Sequence, residues 1–116
     1  MDIKYLGLCV LFFILAQGTA WFQLNGQFFN EWFVNNKWPI IVVGGIITSW
    51  FYWEATYYSY KTFGGIVWPG RLLGFTIGIL LFSGLTRVFM GEPITLKTGV
   101  CLSLAFLVIL IQLFWK

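Results

Sequence analysis

The sequence predicts an all-α integral membrane protein with four transmembrane helices in an antiparallel bundle. Of its 116 residues, 59% are hydrophobic and only 9% are charged, whereas an ordinary soluble domain carries roughly 25% charged residues. Four apolar stretches, each close to the roughly 20 residues that cross a bilayer, are separated by polar segments or by glycine and proline. This composition excludes a soluble globular domain, and it also excludes intrinsic disorder.

The first predicted span covers about residues 3–22. Lys4, the apolar run and Gly18-Thr19-Ala20 are also typical of a secretory signal, but we interpret the segment as a retained first helix. In residues 23–38, amide side chains alternate with aromatic ones, a composition that suits the headgroup region. We therefore expect a short interfacial helix or loop here, with Asn25 as a candidate N-cap.

The other three spans are predicted at about residues 39–60, 71–90 and 96–115, so that the whole chain is a single domain. Pro39 can open the second span, since proline is tolerated in a first helical turn. We read Trp68-Pro69-Gly70 as a break before the third span, and Gly91-Glu92-Pro93 as a break after it.

Lysines and arginines divide almost evenly between the two sides of such a bundle. Four spans place Lys4, Lys61, Arg71 and Lys116 on one side, and Lys37, Arg87 and Lys97 on the other. Because positive charges set orientation, this near balance predicts a weakly set or dual topology. The cations are scattered rather than clustered, which argues against nucleic acid as a partner.

The sequence offers little for catalysis. It has no histidine and only four carboxylates, so we predict no metal site, no cofactor and no enzymatic activity. Cys9 and Cys101 both lie in apolar runs and are interpreted as packing residues rather than a disulfide.

Glu54 is the main candidate for a functional residue, because it lies about 9 Å inside the second span. A carboxylate at that depth is costly unless it is paired, neutralised or hydrated. It either belongs to a substrate or proton site with Trp50, Tyr57 and Tyr58, or forms a structural ion pair or hydrogen bond. Gln17, a polar residue of the first span, is a further candidate substrate contact.

We expect the partner of Glu54 to be Arg71, at the start of the third span on the same side of the membrane. In an inverted dimer, Arg87 of the second copy would lie at that level instead. The third span also contains Gly70-x-x-x-Gly74-x-x-x-Gly78, a spacing that lets helices approach closely, either within one bundle or between two copies.

Two motifs suggest a family. Gly91-Glu92-Pro93-Ile94-Thr95 resembles the junction between helices three and four of the drug/metabolite transporter superfamily, whose small four-helix branch includes the small multidrug resistance proteins. Trp53-Glu54-Ala55-Thr56-Tyr57 and Arg71 resemble a related group of uncharacterised four-helix proteins. Unlike the multidrug exporters, whose first helix carries an embedded glutamate, this chain has Gln17 there.

The resemblance implies a bacterial inner-membrane transporter, a homodimer whose copies could be antiparallel. It would move or bind a small amphipathic or cationic solute along Glu54 and its aromatic neighbours. The alternative is an accessory or structural subunit of a larger membrane complex, which the many aromatic side chains favour.

Overall fold

The computed structural model describes residues 2–115, and that part of the chain is helical with no strand. Four long helices, α1 (Ile3–Asn25), α4 (Gly45–Thr62), α5 (Trp68–Leu85) and α6 (Leu96–Phe114), are joined by short segments that include α2 (Glu31–Asn35) and α3 (Lys37–Pro39). The helical stretches Ile3–Phe28, Trp68–Met90 and Leu96–Phe114 are long and apolar enough to cross a membrane. The protein is therefore an all-α protein with the composition of a membrane protein.

Two helix starts follow from local capping. Asp2 accepts a hydrogen bond from the Lys4 amide at 3.0 Å and begins α1, and Thr95 accepts from the Thr98 amide at 3.2 Å and begins α6. Gly91, with φ of +68°, allows the chain to turn between α5 and α6.

The short helix predicted between the first two spans is α2, but its cap differs from our expectation. Asn30 rather than Asn25 is the N-cap, and its side chain accepts from the Trp32 amide at 2.9 Å. Asn25 instead continues α1, and its Nδ2 donates to the Trp21 carbonyl at 3.1 Å. The first helix is consequently longer than predicted.

The predicted break at Trp68-Pro69-Gly70 is wrong, because these residues form the first turn of α5. An amide in the first turn has no acceptor within its own helix, so Pro69 loses nothing there.

Two π-helical turns interrupt the long helices, one at Ile40–Gly44 before α4 and one at Thr86–Met90 after α5. Both contact the last turns of α1. Gln23 Nε2 donates to the Ile41 carbonyl at 3.2 Å, and Trp21 Nε1 donates to Thr86 Oγ1 at 3.1 Å. These bonds fix both turns to one end of α1.

The hydrophobic core lies between α1, α4 and α5. Its buried residues are Cys9 and Phe13 of α1, Ala55 of α4, and Leu73 and Ile77 of α5. α1 and α4 run in opposite directions, since Tyr5 stacks on Tyr58 near one end while Gln23 bonds Ile41 near the other.

α6 lies at the edge of the molecule, with α5 as its main neighbour. Only 6% of its apolar stretch is buried. The Cα atoms fill a slab of 47 × 35 × 18 Å, whose smallest dimension is less than two helix diameters of about 10–12 Å each.

Candidate functional site

An open cavity of about 500 Å³ lies between α1, α4 and α5. This is within the range of about 300–1,000 Å³ that small-molecule sites occupy. Its walls combine polar and apolar side chains, with α1 and α4 providing Phe13, Gln17, Tyr52, Thr56 and Ser59, and α5 with the residue before it providing Val67, Gly70, Arg71, Gly74, Phe75, Gly78, Ile79 and Phe82.

Three glycines bring α5 close to the other walls of this cavity. A Cβ atom at Gly70 would collide with Ser59 Oγ, and one at Gly74 would lie 2.7 Å from Phe13 Cε1. A Cβ at Gly78 would lie 2.7 Å from the Gln17 amide. The predicted small-residue stripe therefore faces α1 and α4 of the same chain.

The polar groups of the cavity extend inward from one end of α5. Arg71 and Ser59 lie at the level of the first turn of α5, as the contact between Gly70 and Ser59 shows. Gln17 lies deeper, where its Nε2 donates to the Gly74 carbonyl at 3.2 Å. The side chain of Tyr52 lines the same cavity as Gln17 and Arg71. Hydrogen-bonding groups thus continue from the mouth to the middle of the cavity.

The far part of the cavity is apolar. Phe75, Ile79 and Phe82 of α5 form this wall, and Phe82 lies eleven residues beyond Arg71. At 1.5 Å per helical residue, the distance along α5 between the two is about 16 Å. The cavity is therefore polar and cationic at one end and apolar at the other.

Glu54 does not line this cavity, according to the part of the chain that the structure describes. Glu54 is half-buried and lies two positions from both Tyr52 and Thr56, which do line it. Two residues correspond to about 200° around an α-helix, so Glu54 lies on the opposite side of α4. The structure consequently does not bring the two residues of the predicted Glu54–Arg71 pair to one site.

Trp50 and Tyr58 share the helix face of Glu54, one turn before it and one turn after it. Both rings pack on Phe12 of α1. The Trp50 ring meets it edge to face with 5.8 Å between the ring centroids, and the Tyr58 ring stacks on it with 5.7 Å between the centroids. These aromatic rings join α1 to α4 on the side away from the cavity.

Tyr57 lies in a second, shallower groove on α4, which adjoins the cavity. The groove holds about 550 Å³ and shares Tyr52 and Thr56 with the cavity wall. The Lys61 ammonium lies 5.7 Å from the centroid of the Tyr57 ring, within the range of a cation–π contact.

Of the residues predicted from sequence, Gln17 and Arg71 share the cavity. Tyr52, Thr56 and Ser59 were not selected as site residues from the sequence. Their spacing of four and then three residues places all three on one face of α4, and such a polar stripe in an apolar helix was the available signal.

Comparison with known proteins finds no match: no family model, no curated protein and no solved structure corresponds to this chain.

Proposed function

We propose that the protein is a small membrane transporter that moves an amphipathic solute through the cavity between α1, α4 and α5. The observation that carries this proposal is a polar lining, from Arg71 to Gln17, in a cavity between largely apolar helices. Polar groups within membrane-spanning segments are costly, and they typically mark a substrate pathway. The resemblance of Gly91-Glu92-Pro93-Ile94-Thr95 to the drug/metabolite transporter superfamily supports the same function.

In this proposal α1, α4, α5 and α6 each cross a bacterial inner membrane as an antiparallel bundle. α4 is the most polar of the four, but it packs along α1 and continues the helical turns that begin at Lys37. The weakly set orientation allows two copies to form a homodimer, including one in which they are inverted.

Flux measurements in proteoliposomes test this function. The vesicles are loaded with radiolabelled amphipathic solutes of negative, neutral or positive charge, and protein-dependent release is followed over time. Thr56→Trp, which places a large side chain in the cavity wall, should reduce release of the transported solute at least tenfold. Ser103→Trp, on the exposed surface of α6, is the matched control and should leave release unchanged.

Two results would refute the transport proposal. One is the absence of protein-dependent release for all three charge classes. The other is release that Thr56→Trp and Ser103→Trp affect equally.

A second candidate function is that of an accessory subunit in a larger membrane complex. It is favoured by α6, whose large apolar side chains, such as Leu104 and Phe106, are more than half exposed. Native mass spectrometry of gently solubilised membranes tests this alternative. A heteromer of fixed composition would support it, and a homodimer without other subunits would oppose it.

A further inference from the structure

We propose that the ligand of the α1–α4–α5 cavity is an anionic amphiphile, with a carboxylate or phosphate head group bound by Arg71 and a single apolar chain along α5. This inference depends on the proposed function only for its site, since it concerns what binds in the cavity. It also departs from the expectation of a cationic solute, which relied on Glu54 being in the pathway.

The charge of the lining favours an anion. Among the described residues that form the walls, Arg71 is the one with a charged side chain. None of the four carboxylates of the chain lines the cavity: Asp2, Glu31, Glu54 and Glu92. A guanidinium has five N–H donors and no acceptor, and its planar fork matches both carboxylate and phosphate. A cationic head group would meet repulsion here without a compensating carboxylate.

The neighbouring polar groups can also donate hydrogen bonds to an anion. Tyr52, Thr56 and Ser59 each have a hydroxyl, and the Gln17 amide has a second N–H besides the one donated to the Gly74 carbonyl. These groups lie on the α1 and α4 walls, whereas Arg71 lies on the α5 wall. A head group entering between the walls would therefore meet donors on both sides.

The shape and polarity of the cavity favour a single apolar chain behind the head group. Phe75, Ile79 and Phe82 continue the α5 wall for about 16 Å beyond Arg71. The volume of about 500 Å³ is that of a site for one small molecule. The ligand would lie parallel to α5, with its head at the Arg71 end.

Binding in neutral detergent tests this assignment without requiring transport. Tryptophan fluorescence of the purified protein is titrated with dodecyl phosphate, with laurate and with dodecyltrimethylammonium, which share a twelve-carbon chain and differ in head group. We expect saturable binding of both anions, at least tenfold tighter than that of the cation. Inorganic phosphate alone should bind at least tenfold more weakly than dodecyl phosphate, because it lacks the chain.

Three variants assign the binding to this cavity. Arg71→Gln should weaken dodecyl phosphate binding at least tenfold, and Arg71→Lys should recover part of the loss because it keeps the charge. Arg87→Gln removes a cation that does not line the cavity and should have no effect. Arg71 is exposed, so its substitutions should leave the protein folded, which far-ultraviolet circular dichroism checks.

Competition with phosphatidylglycerol distinguishes two sources of the same chemistry. No displacement of dodecyl phosphate would support a single-chain solute, whereas displacement would show that a two-chain membrane lipid enters and would overturn the single-chain part of the assignment.

The inference is overturned if the cation binds as tightly as the anions, if Arg71→Gln has no effect, or if inorganic phosphate binds as tightly as dodecyl phosphate. Its failure is distinguishable from failure of the transport proposal. Anion binding without flux in proteoliposomes would refute transport alone, and flux of a cation blocked by Thr56→Trp would refute the anionic ligand alone.

Discussion

At the scale of single residues, Gly74 decides how closely α5 can approach α1. It faces Phe13, which is only 5% exposed and belongs to the core between α1, α4 and α5. The ring packs in the core with Cys9, Leu73 and Ile77, so an added methyl group would have to push it out of this packing, toward the cavity that it also lines. The separation of the two helices therefore depends on the absence of a side chain at this position.

We predict that Gly74→Ala destabilises the protein by about 1–3 kcal/mol, the usual cost of overpacking a core. Gly84→Ala in the same helix is the matched control, since a Cβ there would meet nothing within 4 Å. It should be neutral or stabilise by about 0.5–1 kcal/mol, because alanine is the better helix former. Thermal unfolding in detergent, followed by tryptophan fluorescence, measures both. Equal midpoints for the two variants would contradict the proposed close packing.

The candidate site could be predicted only in part, because the rotation of each helix about its axis determines which side chains face the cavity. Gln17 and Arg71 were selected as polar residues in or beside apolar spans, and they share the cavity. Glu54 was selected on the same grounds but lies on the other side of α4. Depth in the membrane can be read from position along the chain, whereas the neighbour that a helix face meets depends on packing between helices.

At the scale of secondary-structure elements, the π turn at Ile40–Gly44 holds one residue more than an α-helical turn would need. Removal of this one residue should restore a continuous α-helix, and the residues before and after the turn should keep the same sides of the helix facing their neighbours. The extra residue is accommodated where Gln23 donates to the Ile41 carbonyl. The turn is thus a local insertion rather than a change of register.

We predict that deleting Val42, which is exposed and lies within this turn, leaves the protein folded. Its melting temperature should change by about 4 °C or less, the shift that 1 kcal/mol produces in a small domain. Deleting Ile47, an exposed residue in the regular part of α4, should abolish folding, because it rotates the two parts of the helix by about 100° relative to each other. Size-exclusion chromatography and thermal unfolding compare the two deletions. The interpretation fails if both deletions reduce folded yield to the same extent.

Neither π turn could be predicted from the apolar pattern, because one additional residue barely alters the composition of a span. The fourth span was placed after the break at Gly91-Glu92-Pro93 without a predicted cap, and in the structure Thr95 caps α6. Pro69 was read as part of a break, but it lies in the first turn of α5, where a backbone amide is not needed for a hydrogen bond within the helix.

At the scale of the whole molecule, α4 decides the number of membrane crossings. α1, α5 and α6 belong to stretches with the apolarity of a membrane span, and α4 does not. If α4 crosses as we propose, residue 65 and the C-terminus lie on one side, and residues 27 and 92 on the other.

Reporter fusions at these four positions test the proposed topology. We expect the signals at residue 65 and at the C-terminus to match each other and to be opposite to those at residues 27 and 92. In a dual topology each position gives a mixture, and the mixtures at residue 65 and at the C-terminus should still agree. Matching signals at residues 27 and 65 would show that α4 does not cross.

The helical class and the membrane composition follow from the sequence, because they depend on average apolarity. The arrangement of helices does not, since nearly every surface is apolar and many pairings bury similar areas. The position of α6 at the edge is an example: its sequence is more apolar than that of α1, with a mean hydropathy of 2.1 against 1.7, yet it contributes little to the core.

The molecule measures only 18 Å between its outermost Cα atoms in the thinnest direction. In the proposed transporter, so thin a wall cannot separate a bound solute from the lipid chains on every side. A water-filled conduit requires walls on every side, and one chain of this shape leaves its cavity open along a flank. In the proposed transporter, lipid or another protein molecule would close that flank when a solute is bound. A ligand whose apolar tail can contact lipid acyl chains therefore fits this open cavity better than a fully hydrated ion does.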